Sequence, residues 1–249
     1  MNSILAAPTV SIIIPCRNEQ DFIIACLESI IENDISLDDV EVLVVDGMSD
    51  DRTRELVEKY AENHSCIKLV DNPRKNTPLA LNIGVKQSNG RYIAILGSHS
   101  RVEKNFIKAN IYNMEHGDTD CIGGIIKTSP KNRTRIAQAI AIGLSHPFGV
   151  GNAHFRVGVN APKFVDTVPF GCYRREVFEK IGLFDEELTR NQDDEFNFRL
   201  IKNGGKVLLD PEIVSVYYVR DSLLKLWKMY FQYGYFKPLV AKKIGKIVT

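Results

Sequence analysis

In the first half of the chain, short uninterrupted apolar runs alternate with stretches where apolar positions return every three or four residues. TVSIIIP (9 to 15) has the length of a buried strand, and after Asn18 the residues Ile23, Leu27, Ile30 and Ile31 share one helical face. VEVLVVD (40 to 46) is a second such run. Ser49, Asp50 and Asp51 then open a helix with acidic groups where its dipole favours them, and Leu56, Val57 and Tyr60 form its apolar face. CIKLVD (66 to 71), a helix near 78 to 88 and RYIAIL (91 to 96) continue the alternation. Repeated strand-helix units predict an α/β fold with a doubly wound, Rossmann-like, mainly parallel sheet, whose ligands gather beyond the carboxyl ends of the strands.

The second half is less regular. IAQAIAIGLSHPFGVG (136 to 151) begins as a small-residue apolar helix and breaks at Pro147 and the glycines. A further helix opens at Asp193, Asp194 and Glu195, with Phe196 and Leu200 facing a core. Three carboxylates in a first turn are accounted for by dipole compensation as readily as by chemistry.

The strand-end rule selects four segments that should converge on one crevice: Pro15 to Glu19, Asp46 to Asp51, Asp71 to Lys75, and Gly97 to His99. The acidic groups of the first two can accept hydrogen bonds from a base or ribose, and Arg74 and Lys75 can face phosphates. For Asp50 and Asp51 helix capping is at least as good an account; Asp46, at a strand tip, points to function. Neither G-x-G-x-x-G nor G-x-x-x-x-G-K-[ST] occurs, so a dinucleotide site and a P-loop have no support.

Composition narrows the partners. The 249 residues carry 32 basic and 31 acidic groups, a formal net charge of +1, so nucleic acid is not an expected partner. Five scattered cysteines without C-x-x-C spacing read as buried thiols of a reducing compartment. No signal peptide is evident, and no apolar run approaches the roughly 20 residues that span a bilayer. The last stretch, 220 to 249, interleaves Leu223, Leu224, Leu226, Trp227, Met229, Tyr230 and Phe231 with Lys225, Lys228, Lys237, Lys242, Lys243 and Lys246. It reads as a basic, aromatic, amphipathic helical segment suited to a membrane surface, or alternatively as a helix packing its aromatics on the preceding domain. The ending at Ile247-Val248-Thr249 raises the expectation of further membrane-associated chain.

In this order, SIIIPCRNE, VLVVDGMSDD, NPRKNTPLALNIGV, GLFDEEL and QDDEFNFRL resemble the family 2 glycosyltransferases, and SHPFGVGNAHFR with VDTVPFGCYRREVFEKIGLFDEEL resembles the succinoglycan-type glucosyltransferases of exopolysaccharide assembly. The resemblance spans about 9 to 237. It implies a GT-A catalytic domain over 1–219, with a nucleotide-sugar half (about 1–100) and an acceptor half (about 101–219), followed by the 220–249 segment.

The resemblance assigns Pro15, Arg17, Glu19 and Asp46 to the nucleotide pocket, with Asp46 near the base, and Arg74 and Lys75 to the loop approaching the donor. QDDEFNFR matches a Glu-Asp-x-Asp-Leu-x-x-Arg pattern, which makes Asp193 the catalytic base. Gln192 stands for the usual Glu and Glu195 for the second Asp. Gly171, Gln192, Asp194, Glu195 and Gln232 fall to the donor and acceptor pocket; Gln232 is what remains of a Gln-x-x-Arg-Trp motif. The Gly-rich 146–158 segment, with Phe148, Asn152, His154, Phe155 and Arg156, shapes the acceptor side.

The family's metal-binding Asp-x-Asp should fall on Gly97-Ser98-His99. His99 matches the third position of the Asp-x-His variant, and Gly97 lacks the first ligand. The implied cofactor is a donor-dependent divalent cation, Mn²⁺ or Mg²⁺, with imidazole favouring Mn²⁺; the alternative is a His bonded to backbone with no metal, leaving the diphosphate to Arg74, Lys75 or Arg101. The implied activity is inverting transfer of a hexose, glucose from UDP-glucose, to a lipid-linked saccharide at the cytoplasmic face of the cell membrane. Two rivals remain: a degenerate member that binds nucleotide-sugar or a partner without turnover, suggested by Gly97 and Gln192, and a nucleotidyltransferase, disfavoured because no triphosphate loop follows the first strand. The oligomeric state is left open.

Overall fold

A computed structural model of the chain describes residues 7–219 and 221–245. Arg220, Lys246 and the Ile247-Val248-Thr249 end, named above, lie outside the described residues. The strands are β1 (Val10–Cys16), β2 (Val40–Asp46), β3 (Ile67–Asp71), β4 (Tyr92–Ile95), β5 (Ser100–Val102), β6 (Cys121–Pro130), β7 (Lys163–Phe164), β8 (Cys172–Arg174) and β9 (Val207–Val219). The helices are α1 (Ile23–Ile31), α2 (Thr53–Ala61), α3 (Thr77–Gln87), α4 (Phe106–His116), α5 (Arg135–Ser145), α6 (Pro147–Val150), α7 (His154–Val157), α8 (Arg175–Ile181), α9 (Gln192–Lys202) and α10 (Leu223–Ile244).

One sheet carries the strands in the order β3-β2-β1-β4-β8-β6-β9-β5, with β7 beside β9. The β3-β2-β1-β4 block is parallel throughout, and β6 runs parallel to β9, so most paired residues are parallel. The antiparallel contacts lie in the second half, where β8 meets β4 and β6, and β5 and β7 meet β9.

Strand periodicity explains why helices cover both faces. In β1, Ile12 and Ile14 join one core with Ile23, Leu27 and Ile30 of α1, while Ile13 between them joins the other with Leu81 of α3 and Phe196 of α9. Both faces of β1 and β2 are buried, which is why their sequences read as continuous apolar runs. The expected faces of α1, α2 and α9 are those observed, with Phe196 and Leu200 in the core.

β6 and β9 slip register between Gly124 and Ile125, where Pro211-Glu212-Ile213 bulges out of the ladder. A Cβ on Gly124 would sit 1.7 Å from the Ile213 carbonyl oxygen, so only glycine permits this approach. The bulge also explains Pro211 within a long strand, since a proline cannot donate to a ladder. α5 ends before Pro147, where the sequence predicts its break, and α10 runs unbroken through Pro238. Among the described residues no helix is long and apolar enough to cross a membrane.

Candidate active site

The carboxyl ends of β1 to β4 open into a cavity of about 1430 Å³, closed on the far side by α7, the head of α9 and one flank of α10. Among the described residues, four of the five non-glycine residues with left-handed backbone stand in the loops around it: Asn18, Met48, Lys75 and Phe170, with φ between 49° and 59°. The fifth, Asn191 at φ 59°, precedes α9. Such conformations cost free energy and are retained where loop geometry must be specified.

The first two loops are laced together. Asn18 N donates to Ser49 Oγ (2.8 Å), Asp50 N to Asn18 Oδ1 (3.0 Å), and Glu19 N to Thr53 Oγ1 (2.8 Å). Asp51 accepts from the backbone N–H groups of Thr53 and Gln20, which is a capping role. This network sets Pro15, Arg17, Glu19 and Gly47 along the cavity wall.

Asp46 departs from the sequence expectation. Its side chain is fully buried and does not line the cavity. Its oxygens accept from Ser49 N (2.9 Å), from the Ser49 hydroxyl and from Arg54 Nη1 (2.8 Å). Burial pushes this carboxyl up, but the Ser49 and Arg54 donors outweigh it and hold the group below its ordinary value. Asp46 therefore shapes the loop from beneath, leaving Arg17 and Gly47 at the surface where it was expected.

Three further candidate residues also lie off the cavity lining. Arg74, largely exposed, does not line the cavity and pairs with Glu186 at 3.6 Å, whereas its neighbour Lys75 lines it. Gln232 does not line the cavity; its Oε1 accepts from Arg190 Nε at 3.2 Å. Glu195 is buried and accepts from Arg199 Nε and Nη2, both at 2.8 Å. Arg101, on β5, lines a separate small cleft. Gly171, Gln192, Asp193 and Asp194 do line the cavity.

Asp193 owes its place to what anchors α9. Phe196 stacks on Phe184 and Phe178 with ring centroids 4.3 and 5.0 Å apart, and Asn197 is tied to the Tyr173 hydroxyl (3.0 Å) and to Thr167 (3.1 Å). These contacts aim the first turn at the cavity. Asp193 stands exposed to the solvent of the open cavity, with the cavity walls packed densely around the carboxylate. Burial, and then repulsion from Asp194, push its carboxyl up to about 7, with Arg190 opposing. The upward direction is what the surroundings dictate, and a bound substrate that displaces water strengthens it.

His99 stands between the β1 loop and β9. Its Nδ1 has no hydrogen-bond partner and lies 3.4 Å from Glu19 Oε1, and its ring meets Tyr217 edge-on at 5.1 Å. Among the described residues no group of three or more His, Cys, Asp or Glu side chains could hold a metal. An unpartnered imidazole nitrogen beside a carboxylate nevertheless suits a divalent cation whose other ligands arrive with a diphosphate. A Cβ on Gly97 would lie 3.0 Å from the Phe170 ring, a tight contact that the ring would have to relieve by a few tenths of an ångström.

Arg190 and Tyr233 complete the lining, and the sequence did not single them out for it. Arg190 has one available signal, a cation directly before the acidic first turn. Arg156, noted only as part of the acceptor-side loop, sits with its guanidinium 5.5 Å from the Tyr217 ring, and its buried Nη1 has no hydrogen-bond partner. Nothing in the sequence pairs it with Tyr217, 61 positions away.

A mainly parallel sheet with a crevice at its strand ends is the arrangement shared with solved GT-A structures. The sequence profile described as glycosyl transferase family 2 matches residues 11–182, and the chain belongs to that family. It is 34% identical over 243 residues to the Methanococcus voltae dolichyl N-acetyl-alpha-D-glucosaminyl phosphate 3-beta-D-2,3-diacetamido-2,3-dideoxy-beta-D-glucuronosyltransferase, covering 94% of this chain and 74% of that one. It is 25% identical over 225 residues to the succinoglycan biosynthesis protein ExoA of Rhizobium meliloti, covering 90% and 67%. Among solved structures, the mannosyltransferase PcManGT from Pyrobaculum calidifontis, in complex with GDP-Man and Mn²⁺, superposes with a TM-score of 0.68 at 19% identity, over 96% of this chain and 69% of that one. That likeness establishes the fold, and the resemblance to family 2 and to its succinoglycan branch drawn from the sequence is borne out.

Proposed function

We propose that this glycosyltransferase is an inverting hexosyltransferase that moves glucose from UDP-glucose to a lipid-linked saccharide at the cytoplasmic face of a membrane, with Asp193 as general base. The observation that carries it is Asp193 at the head of α9, held in the cavity opposite the strand-end residues. The M. voltae relative, whose name specifies a dolichyl phosphate-linked acceptor, supports the acceptor class. Retention of Asp193 favours turnover over the rival of a binding module.

An inverting transfer needs a base to take the acceptor hydroxyl's proton as that oxygen attacks the anomeric carbon from the face opposite the leaving diphosphate. A carboxyl raised toward neutrality matches that task better than an ordinary Asp. Arg17 and Lys75 on one wall, and Arg156 and Arg190 on the other, supply cations for the diphosphate. His99 and Glu19 would hold a divalent cation, which supplies further charge to the leaving group when bound.

Turnover of UDP-glucose with a lipid-linked acceptor, followed across pH, tests the reading. The base acts only when deprotonated, so kcat/KM should rise with pH through about 7, where burial and Asp194 place the group, and fall away below it. A flat profile from pH 5 to 8, or donor binding with no turnover, would refute it.

The metal can be examined without activity. Mn²⁺ titrated calorimetrically should give no detectable heat with the free protein and clear binding once UDP is present, and His99→Ala should abolish the second signal. Gly97→Asp should tighten Mn²⁺ binding in the presence of UDP only as far as the Phe170 ring, 3.0 Å from the new Cβ, gives way. Equal Mn²⁺ binding with and without UDP, or an unaffected His99→Ala variant, would remove His99 from the site.

A further inference from the structure

α10 is apolar on two sides. Leu226, Met229, Tyr233 and Val240 pack inward against α5, β9 and Leu188. On the opposite side Leu223, Leu224, Trp227 and Phe231 stand between 59% and 73% exposed, continued by Tyr235 at 69%. α5 repeats the pattern. Ala137, Ile140, Ala141 and Leu144 pack inward, whereas Ile136, Ala139, Ile142 and Gly143 face outward, and Phe148 of α6 is 98% exposed. An amphipathic surface helix normally turns polar residues outward. These two turn large apolar groups outward instead, and they are neighbours that touch through the cluster of Ile140, Leu144 and Met229.

Both exposed faces border the cavity. Tyr230 is 43% exposed and also lines the cavity, and Gly149, beside Phe148, lines it from α6. Cations flank the apolar groups: Lys228 and Lys242 on α10, and Arg133 and Arg135 at the start of α5, are exposed and make no ion pair among the described residues. Aromatic and aliphatic side chains ringed by unpaired Lys and Arg complement an anionic lipid surface, whose apolar boundary and negative headgroups they meet together.

We propose that the outward faces of α5–α6 and α10 form one membrane-docking surface that lays the cavity mouth against an anionic bilayer. The sequence assigned membrane contact to the C-terminal segment alone; the structure adds Ile136, Ile142 and Phe148. The inference rests on the lipid-linked acceptor read above for its purpose, but its test does not require turnover. Docking of this kind lets an acceptor headgroup reach Asp193 while its lipid chain stays in the bilayer.

Trp227 is the single tryptophan of the chain, so its emission reports on this face alone. With phosphatidylglycerol-containing vesicles the full chain should co-sediment and Trp227 emission should shift to the blue; phosphatidylcholine vesicles should bind it less. Ile142→Ser with Phe148→Ser, and separately Leu224→Ser with Phe231→Ser, should each weaken partitioning about tenfold or more, since each removes two large apolar groups from the boundary. Circular dichroism checks that the variants remain folded, and transfer to a water-soluble acceptor analogue should persist in the Leu224→Ser, Phe231→Ser variant, whose residues do not line the cavity. The proposal is overturned by wild-type protein that ignores anionic vesicles, by α5–α6 substitutions that leave binding unchanged, or by a concentration-dependent dimer that the same substitutions dissolve. Vesicle binding without sugar transfer would instead fault the proposed activity and leave the docking surface standing.

Discussion

Asp193→Asn should lower sugar transfer by about 10²- to 10⁴-fold, the usual cost of losing a general base, while UDP affinity stays within a few fold. The amide keeps the size of the carboxylate and can still accept a hydrogen bond from an acceptor hydroxyl, but it cannot take the proton. Stability should move the other way. Folding raises this carboxyl from about 3.9, its ordinary value, up to about 7. Ionisation is therefore disfavoured in the folded state, and wild-type protein loses stability as pH climbs through that window. The Asn variant carries no such charge, so at pH 8 it should melt at or above the wild-type temperature. A dead but stable variant that binds UDP normally is the signature of a base. Parallel loss of UDP binding and turnover would make Asp193 a nucleotide ligand instead. Asp194→Asn gives a graded control, because removing the neighbouring charge should move the acid limb of the rate profile to lower pH without abolishing transfer.

What could be read from the sequence was local in origin. Buried parallel strands announce themselves by run length, and α1, α2 and α9 by the spacing of their apolar residues, so the sheet and the side of it that binds were both visible. The first turn of α9 was visible too, since its acidic cluster is contiguous. Residues whose role depends on partners distant in sequence were not. Asp46 sits at a strand tip in either reading, but its capture by Ser49 and Arg54 depends on how the loop folds back. Arg74 was assigned to the donor and Gln232 to the pocket, yet Glu186 and Arg190 claim them across 112 and 42 positions. Glu195 is the instructive exception: an Arg four residues later on a helix is a recognised pairing signal, and it was there to be used.

Arg199→Ala should cost the fold about 3 kcal/mol, the low end for breaking a buried ion pair, since this guanidinium keeps about a quarter of its surface in contact with solvent. The loss is larger than a surface pair's because the side chain meets four acceptor oxygens on three residues. It meets both oxygens of Glu195, and it donates to the carbonyl oxygens of Ile181 and of Leu183, the latter at 2.8 Å. Truncation leaves Glu195 buried with no cation and releases the loop between α8 and α9. From the other side, Asn82 holds that loop through Phe184, accepting from its N–H and donating to its carbonyl, both at 2.9 Å. The loop carries Phe184 into the aromatic stack on Phe196, three residues along from Asp193. Arg199→Lys should recover only part of the stability, because an ammonium cannot reproduce the guanidinium fork. Urea unfolding at neutral pH measures all three proteins. The decisive comparison is Glu195→Gln. As a structural partner of Arg199, Glu195 should lose stability on this change and retain turnover in the folded fraction. A pocket carboxylate would lose turnover at unchanged stability, and that result would assign Glu195 to the donor and acceptor pocket rather than to Arg199 alone.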